Sequence, residues 1–453
     1  MSDNADIVVI GAGMAGAAAA YHLAVRRGVR RVVLIDEREP LTLTSDKGTQ
    51  AYRNWWPGPD ATMLRYMTRS IDLLEEMADE SENVFRMNRR GYVFVTGDEE
   101  GVERLRGTAR EVSSFGMGEL REHGGEASGY RPAPAEGYVG AVIGADLLSA
   151  DAARRVFPGL GRDVRAALHV RRAGWFNALA LGAWLLKRAL GAGATFVRDR
   201  VTAIDQAGGR VTGVRLASGA RFGTDRVAIA AGPALPEAAR MLDLELPVFL
   251  ELHAKLTMRD TQGVVARSMP FLIWNDPVTL PWTAAERSAL EPDPDSGRLF
   301  APFPGGVHVR PVDGPYGDEL YIIWTYDIAP HAFAWPPQFD RHYGEIAIRG
   351  SSRMLPAMSA YFGTGGGFVD GGYYCKTREN RPLVGPLPIE GAFVLGALSG
   401  YGIMGSHAGA DLLAAHLTGA RLPDYARWFL PSRYEEAGYR AEIDRWGENV
   451  GQL

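Results

Sequence analysis

The apolar run Ile7-Val8-Val9-Ile10 ends in Gly11-Ala12-Gly13-Met14-Ala15-Gly16, and a second run, Val32-Val33-Leu34-Ile35, ends in Asp36-Glu37. This order of strand, glycine turn, helix, strand and acid constrains the N-terminal fold more than any other feature of the chain. Gly11 lets the chain turn tightly, Gly13 lets a backbone approach a pyrophosphate, and Gly16 lets the following helix pack closely on its strand. Amides at the helix start, around Met14 and Ala15, are then placed to hold phosphates. Asp36 lies 25 residues after Gly11, close to the spacing of a carboxylate that accepts two ribose hydroxyls, with Glu37 beside it. The pattern predicts a dinucleotide site.

With 453 residues, 46% hydrophobic and 23% charged, the chain has the composition of a globular protein too long for one small core, and two domains are expected. A net charge of -5 argues against nucleic acid as the main partner, which would need a concentrated basic face. The run Arg26-Arg27-Gly28-Val29-Arg30-Arg31 reads instead as a helix end. There Gly28 takes a left-handed cap and the arginines meet the helix dipole. The single cysteine, Cys375, excludes an internal disulfide, an iron-sulfur cluster and a thiolate zinc site, and points to a reducing compartment. The chain enters its first strand without a basic, apolar leader and has no apolar stretch of membrane-spanning length, so a cytoplasmic location and no membrane span are expected. The nine histidines show no metal-ligand spacing. His342 and Glu345 read as surface helix residues, and no metal is expected.

The first strand-helix-strand unit is not followed by the further parallel units of a nicotinamide-binding domain. A loop from Leu41 to Pro59 leads to an amphipathic helix over 62–77, with Leu64, Met67, Ile71 and Leu74 on one face. A strand at 91–95, a helix at 99–115 and a helix start at 149–153 follow. The α/β pattern returns at Trp175 with a helix to about Leu190, then strand runs at 194–197, 200–204, 211–216 and 226–231. The last ends in Ala231-Gly232-Pro233, a turn suited to close approach of a ligand. From Leu246 to about Tyr361 the short strands, tryptophans and prolines predict a separate antiparallel sheet. Within it, Glu291-Pro292-Asp293-Pro294-Asp295-Ser296-Gly297 reads as a surface loop. Finally Ala392-Phe393-Val394-Leu395 enters a second glycine-rich turn, Gly400-Tyr401-Gly402-Ile403-Met404, and a helix to about Leu417.

The glycine fingerprint, Val201 and Ala231-Gly232 in the middle, and Glu379-Asn380-Arg381-Pro382-Leu383-Val384-Gly385 leading into Gly400-Tyr401-Gly402-Ile403 together resemble the FAD-dependent D-amino-acid oxidase superfamily, with glycine oxidase and sarcosine oxidase the nearest likeness. The resemblance covers nearly the whole chain, more loosely in the substrate domain. It implies an α/β fold: a glutathione-reductase-type FAD-binding Rossmann domain assembled from discontinuous segments, 1–50, 165–245 and 370–440, plus an inserted antiparallel-sheet α+β substrate domain, 51–164 and 246–369. Residues 441–453 form a tail. It also implies roles: Gly11, Gly13 and Gly16 at the pyrophosphate, Asp36 at the ribose, the Val201 backbone at the adenine, and Gly400, Gly402, Ile403 and Met404 at the flavin ring. Amides at the start of the last helix would there stabilise a reduced, anionic isoalloxazine. Ser45 to Gly48 matches the loop that passes the flavin, and Lys47 falls where sarcosine oxidases have a histidine near the substrate.

The implied chemistry is oxidation of a C–N bond in a secondary amine or amino-acid-like substrate, with hydride transfer to flavin and with oxygen or an electron carrier as acceptor. An amine must be neutral to give up hydride, and a dry aromatic pocket penalises the ammonium. Tyr52, Trp55, Trp56, Trp274, Trp324 and Tyr326 are candidates for such walls, each equally suited to an ordinary core; Trp324 and Tyr326 are preferred. On the strand 246–256, period-two alternation puts Glu251, His253 and Lys255 on one face. That face meets either solvent or the active site, and the family's geometry favours His253 and Lys255 in the site. A cation there would also help oxygen accept an electron.

The chain departs from the family at the substrate. Tyr374 stands where glycine oxidases carry the carboxylate-binding arginine, Gly400 or Tyr401 replaces a second one, and Tyr321 replaces the lysine that activates oxygen in sarcosine oxidases. Arg53, Arg310, Lys47 and Lys255 are the available substitutes. Cys375 lies about three residues too late to tether flavin, so non-covalent FAD and a buried structural thiol are expected. Alternatives are a flavin dehydrogenase, desaturase or monooxygenase of another small metabolite, a non-catalytic flavin-bound assembly factor, and, from the first 40 residues alone, a nicotinamide dehydrogenase. Gly396-Ala397-Leu398-Ser399 lacks the Gly-Asp segment usual in monooxygenases, and the C-terminal glycine turn speaks against a nicotinamide enzyme.

Overall fold

A computed structural model describes residues 3–125, 129–134, 136–293, 296–312 and 317–446; Pro294 and Asp295 of the acidic loop lie outside them. The strand Ile7–Ile10 is buried on both faces, as its unbroken β-branched run requires for the centre of a parallel sheet. It pairs in parallel with Val32–Asp36 on one side and Val227–Ile229 on the other. Thr195–Arg198 and Ala392–Gly396 extend the parallel sheet outward, and Leu383–Pro386 closes one edge antiparallel. Alternation then divides the side chains. Ile7, Val9, Val32 and Leu34 pack under the helices Met14–Tyr21, Ala178–Gly191 and Gly402–Thr418, whereas Val8, Ile10, Val33 and Ile35 pack against Val201, Ile204, Val211 and Val214 of a four-stranded sheet on the other face.

Gly16 shows how closely the first helix rides on its strand. A Cβ there would stand 1.8 Å from the Gly11 carbonyl oxygen and 3.3 Å from Leu34 Cδ1. Backbone cannot yield as a side-chain tip can, so Gly16→Ala is expected to destabilise the protein by about 1–3 kcal/mol. A denaturant midpoint equal to wild type would refute this packing.

A second, nine-stranded sheet runs in the order Phe368–Lys376, Phe249–Arg259, Glu319–Ile323, Val307–Val312, Phe271–Trp274, Tyr92–Thr96, Ala166–Val170, Ala145–Ser149, Leu120–His123. The expected boundaries at 165 and 370 therefore need correction: Ala166–Val170 and nearly all of Phe368–Lys376 pair inside this sheet, because each completes the ladder of a neighbour, Tyr92–Thr96 and Phe249–Arg259 respectively. The expected helix at 62–77 runs over Thr62–Glu80. It clasps the helix Gly402–Thr418 through Tyr66, whose hydroxyl donates to the Gly405 carbonyl at 2.6 Å, and through Ser70, which donates to the Met404 carbonyl. The loop after Leu41 holds a short strand, Ala51–Arg53, paired with Ala173–Trp175. That pairing carries Arg53 to the junction of the two large sheets.

Candidate active site

A crevice runs across the carboxyl ends of the parallel strands, where ligands bind in open α/β sheets. It consists of two adjoining clefts of about 880 and 870 Å³ that share Gly11, Gly13, Asp36, Leu43 and Ala231. The first is bordered by Glu37, Arg200 and Val201; the second by Met14, Ala15, Ser45, Gly48, Gly232, Gly400, Gly402 and Ile403. Gly11 has a φ of +105°, and a Cβ on it would meet the Ala230 carbonyl oxygen at 2.4 Å. The Ala12 amide donates to Asp36 Oδ2 at 2.7 Å and the Arg38 amide to Oδ1 at 2.9 Å. These two amides fix the carboxylate at the end of its strand with its remaining lone pairs toward the crevice. The Met14 amide, at the helix start, donates to Ser45 Oγ at 2.9 Å.

The second glycine turn is more strained than its sequence suggests. Ala397 and Ser399 hold φ values of +53° and +50° between the strand Ala392–Gly396 and the helix Gly402–Thr418. Non-glycine residues in this region cost of order 1–3 kcal/mol and collect at ligand sites. A Cβ on Gly400 would come within 2.6 Å of the Tyr374 ring, so Tyr374 is pressed against the turn. Its ring, Ser399 and Gly400 border both the crevice and a third cavity of about 610 Å³.

That third cavity lies between the turn and the nine-stranded sheet. Arg53, His253, His308, Thr49 and Thr325 border it with the rings of Tyr92, Phe271, Tyr374 and Tyr401. Arg53 is 9% exposed. Its guanidinium lies 4.3 Å from the Trp56 ring centroid and 5.8 Å from that of Tyr92. Its Nε is buried without a hydrogen-bond partner, and no carboxylate among the described residues makes an ion pair with it. Burial holds its pKa below the usual arginine value, against the pull of Tyr92. A cation set among aromatic faces in a polar cavity has the chemistry to receive an anion. His308 is neutral: burial pushes its pKa down to about 4.

His253 and Tyr374 border this cavity, and their rings lie 4.2 Å apart between centroids, tilted by 32°. The face of Phe249–Arg259 bearing Glu251, His253 and Lys255 is buried; it does not meet solvent. Four expected residues stand elsewhere. Lys255 lies two residues beyond His253, past the cavity wall, where its Nζ pairs with Asp370 Oδ1 at 3.3 Å and sits 4.4 Å from the Tyr321 ring centroid. Lys47 pairs with Asp46 at 2.8 Å and faces Asp370 at 3.9 Å. It borders neither the crevice nor the cavity, because two acids draw it aside. Tyr326 follows the end of its strand, where alternation no longer directs it; its hydroxyl donates to Asp340 at 3.2 Å and its ring packs on Phe303 and Trp324. Met404 turns its side chain into the core, where its sulfur accepts from the Arg53 amide at 3.2 Å. Tyr52 is likewise core, donating to the Asn88 carbonyl at 2.6 Å. Of the four cationic substitutes, only Arg53 borders the cavity. Arg310 donates to the Thr49 carbonyl at 2.9 Å through its Nε.

The glycine-lined crevice and its placement define a dinucleotide-binding protein. The chain belongs to the FAD dependent oxidoreductase family, whose model matches residues 6–416, and it is an FAD-dependent enzyme. The uncharacterized oxidoreductase YurR of Bacillus subtilis (strain 168) is 25% identical over 267 residues, covering 56% of this chain and 63% of that protein; the match thus spans less than two thirds of this relative. Among solved structures, L-proline dehydrogenase from P. horikoshii superposes with a TM-score of 0.74 at 18% identity, over 96% of this chain and 99% of that one. Glycine oxidase from Geobacillus kaustophilus gives 0.73 at 17%, over 95% and 99%, and iminodiacetate oxidase from Chelativorans sp. BNC1 gives 0.69 at 18%, over 94% and 98%. The residues present fit FAD: side chains are missing at Gly11, Gly13 and Gly48 where a cofactor backbone needs room, Asp36 faces the Val201 end, and the strained turn closes the other. Among the described residues no helix is long and apolar enough to cross a membrane.

Proposed function

We propose that the enzyme oxidises the C–N bond of an amine that carries a carboxylate, a secondary amine or amino acid, to an imine that water then hydrolyses. The observation that carries this reading is Arg53, a buried guanidinium without a carboxylate partner in a cavity that joins the flavin end of the crevice at Tyr374, Ser399 and Gly400. The three neighbours above support it, since each is named for a carboxylate-bearing amine or its oxidation. FAD, when bound, supplies the two-electron acceptor. Arg53 holds the carboxylate and so fixes the distance and orientation of the neighbouring carbon. Phe271, Ile323 and Tyr92 exclude water and disfavour the ammonium form of the substrate, which cannot release hydride. Tyr374, pinned between Gly400 and His253, keeps the passage between cavity and crevice narrow. The acceptor that follows is oxygen or an electron carrier.

The test is the visible spectrum of the yellow protein, recorded without oxygen while N-methyl, D- and L-amino acids are added. Bleaching by a carboxylate-bearing amine, and weaker bleaching by the same amine without its carboxylate, is the expected result. Equal bleaching by both would overturn the assignment to Arg53, and the rate of recovery in air separates an oxidase from a dehydrogenase.

Cys375 bears on how the cofactor is held. Its side chain borders the crevice, but burial pushes the thiol pKa up to about 12, and the thiol rather than the nucleophilic thiolate dominates at neutral pH. Acid precipitation is therefore expected to release all of the flavin into the supernatant. Colour retained in the pellet would show a covalent link.

A further inference from the structure

Glu251, His253 and Lys376 form a buried row that the proposed reaction has not yet used. Their exposures are 3%, 5% and 4%. Lys376 donates from Nζ to Glu251 Oε1 at 2.8 Å, and Glu251 Oε2 lies 2.8 Å from His253 Nε2. Against the effect of burial, the hydrogen bonds from His253 and Lys376 hold the carboxylate's pKa below the usual range. An ionised carboxylate only accepts hydrogen bonds. Nε2 must therefore carry the proton, and in the neutral ring Nδ1 is a bare lone pair. Nδ1 is buried and has no protein partner, while the ring borders the cavity that holds Arg53.

We infer that His253 is the base that takes the proton from the substrate's ammonium, and that Glu251 and Lys376 are positioning residues that fix its tautomer. This rests on the proposed function. The substrate enters as R2NH2+; its N–H bond breaks, the proton passes to Nδ1, and the electron pair stays on nitrogen to form the neutral amine. The resulting imidazolium keeps its Nε2–H bond to Glu251, whose negative charge stabilises it. The orientation is consistent with a carboxylate on Arg53, because both groups border one cavity and the Tyr374 ring packs against the imidazole beside the flavin end of the crevice.

The charged and titratable groups facing His253 are Glu251 on its own strand, Lys376 and Tyr374 on the paired strand, Arg53, His308, Tyr92 and Tyr401 around the cavity, and Asp327 past the end of the strand Glu319–Ile323. Burial lowers the imidazole pKa, Glu251 raises it, and Lys376 lowers it. The base is thus neutral and ready at pH 7, and protonation removes it as pH falls. The rate of flavin bleaching at saturating substrate should decline on the acid side. Glu251→Gln, which removes the stabilising anion, should move that decline to lower pH. Lys376→Met, which removes an opposing cation, should move it to higher pH. A loss of packing alone would not shift the two variants in opposite directions.

His253→Asn is expected to lower the saturating rate about 10²–10⁴-fold, the usual contribution of a positioned acid or base, with the flavin spectrum intact. Histidine 15N–1H correlation spectra of the holoenzyme, assigned by the signal missing in His253→Asn, should show the Nε2–H tautomer. An Nδ1–H tautomer in the wild type, or a His253→Asn rate within threefold of wild type on a substrate that bleaches the wild type, would overturn the inference. A wild type bleached by no carboxylate-bearing amine would overturn the proposed function instead, and the tautomer spectrum would still decide the state of the imidazole.

Discussion

Replacing Arg53 by methionine is expected to lower kcat/KM for a carboxylate-bearing amine about 10²–10³-fold, chiefly through KM, while the folded protein becomes no less stable. The two halves come from one physical fact. In the free enzyme Arg53 is a buried cation without an anionic partner among the described residues, and a buried uncompensated charge weakens a fold. Methionine fills similar volume against Trp56 and Tyr92 and removes that burden. Once a carboxylate enters, the same cation becomes one half of a desolvated pair, and truncating one partner of such a pair costs about 2–5 kcal/mol. An amine lacking the carboxylate should lose little in the variant. A thermal midpoint that falls in step with activity, or an equal loss for both substrates, would return Arg53 to a purely structural role.

The dinucleotide-binding unit was legible from the first forty residues because each glycine there answers a steric demand. Gly16 is fixed by the Gly11 carbonyl within one strand-turn-helix unit, so spacing alone carries that demand; Gly11 also answers to the distant Ala230 carbonyl, and there the fingerprint stands in for a contact that spacing does not show. The left-handed backbones of Ala397 and Ser399 had no such signature, since the residue types do not announce a strain that the surroundings impose. Alternation placed His253 on the buried face of its strand. It did not show that the cavity wall falls between His253 and Lys255, which depends on how Asp370 lies across the ladder. Tyr326 failed for a related reason: the strand ends at Ile323, and a period has no authority past the end of its element. The side chain of Met404 points away from the crevice by one helical step. In a helix each residue turns about 100° from the last, so Ile403 and Ser406 face the crevice while Met404 faces Arg53 and the helix Thr62–Glu80. His308, Tyr92 and Phe271 were not singled out because they meet only through strand pairing, Phe271 lying in register with Tyr92. Tyr401 sat inside the second glycine motif and was within reach of the sequence reading.

Asp36→Ala is expected to abolish practical FAD binding without unfolding the apoprotein. In the structure each carboxylate oxygen already accepts one backbone amide, from Ala12 and from Arg38. Those bonds aim the group, and the lone pairs that remain are placed for two ribose hydroxyls. Hydrogen bonds to a charged group contribute about 1.5–3 kcal/mol each, so losing both corresponds to an FAD dissociation constant raised about 10²–10⁴-fold. The variant also leaves the Ala12 and Arg38 amides without their acceptor; Arg38 borders the open cleft, where water replaces it, so the cost to the apoprotein is confined to the buried Ala12 amide. The two contributions separate in a thermal experiment. A ligand at a hundred times its dissociation constant stabilises a fold by about 2.7 kcal/mol, so wild-type apoprotein should gain several degrees on adding FAD and Asp36→Ala should gain almost none, from nearly the same starting midpoint. Asp36→Glu keeps the charge but pushes it one methylene into the crevice, and should fall between the two. If Asp36→Ala retains its yellow colour through dilution and gel filtration, the carboxylate does not hold the ribose; if its apoprotein midpoint collapses, the two amide bonds matter more to the turn than to the cofactor.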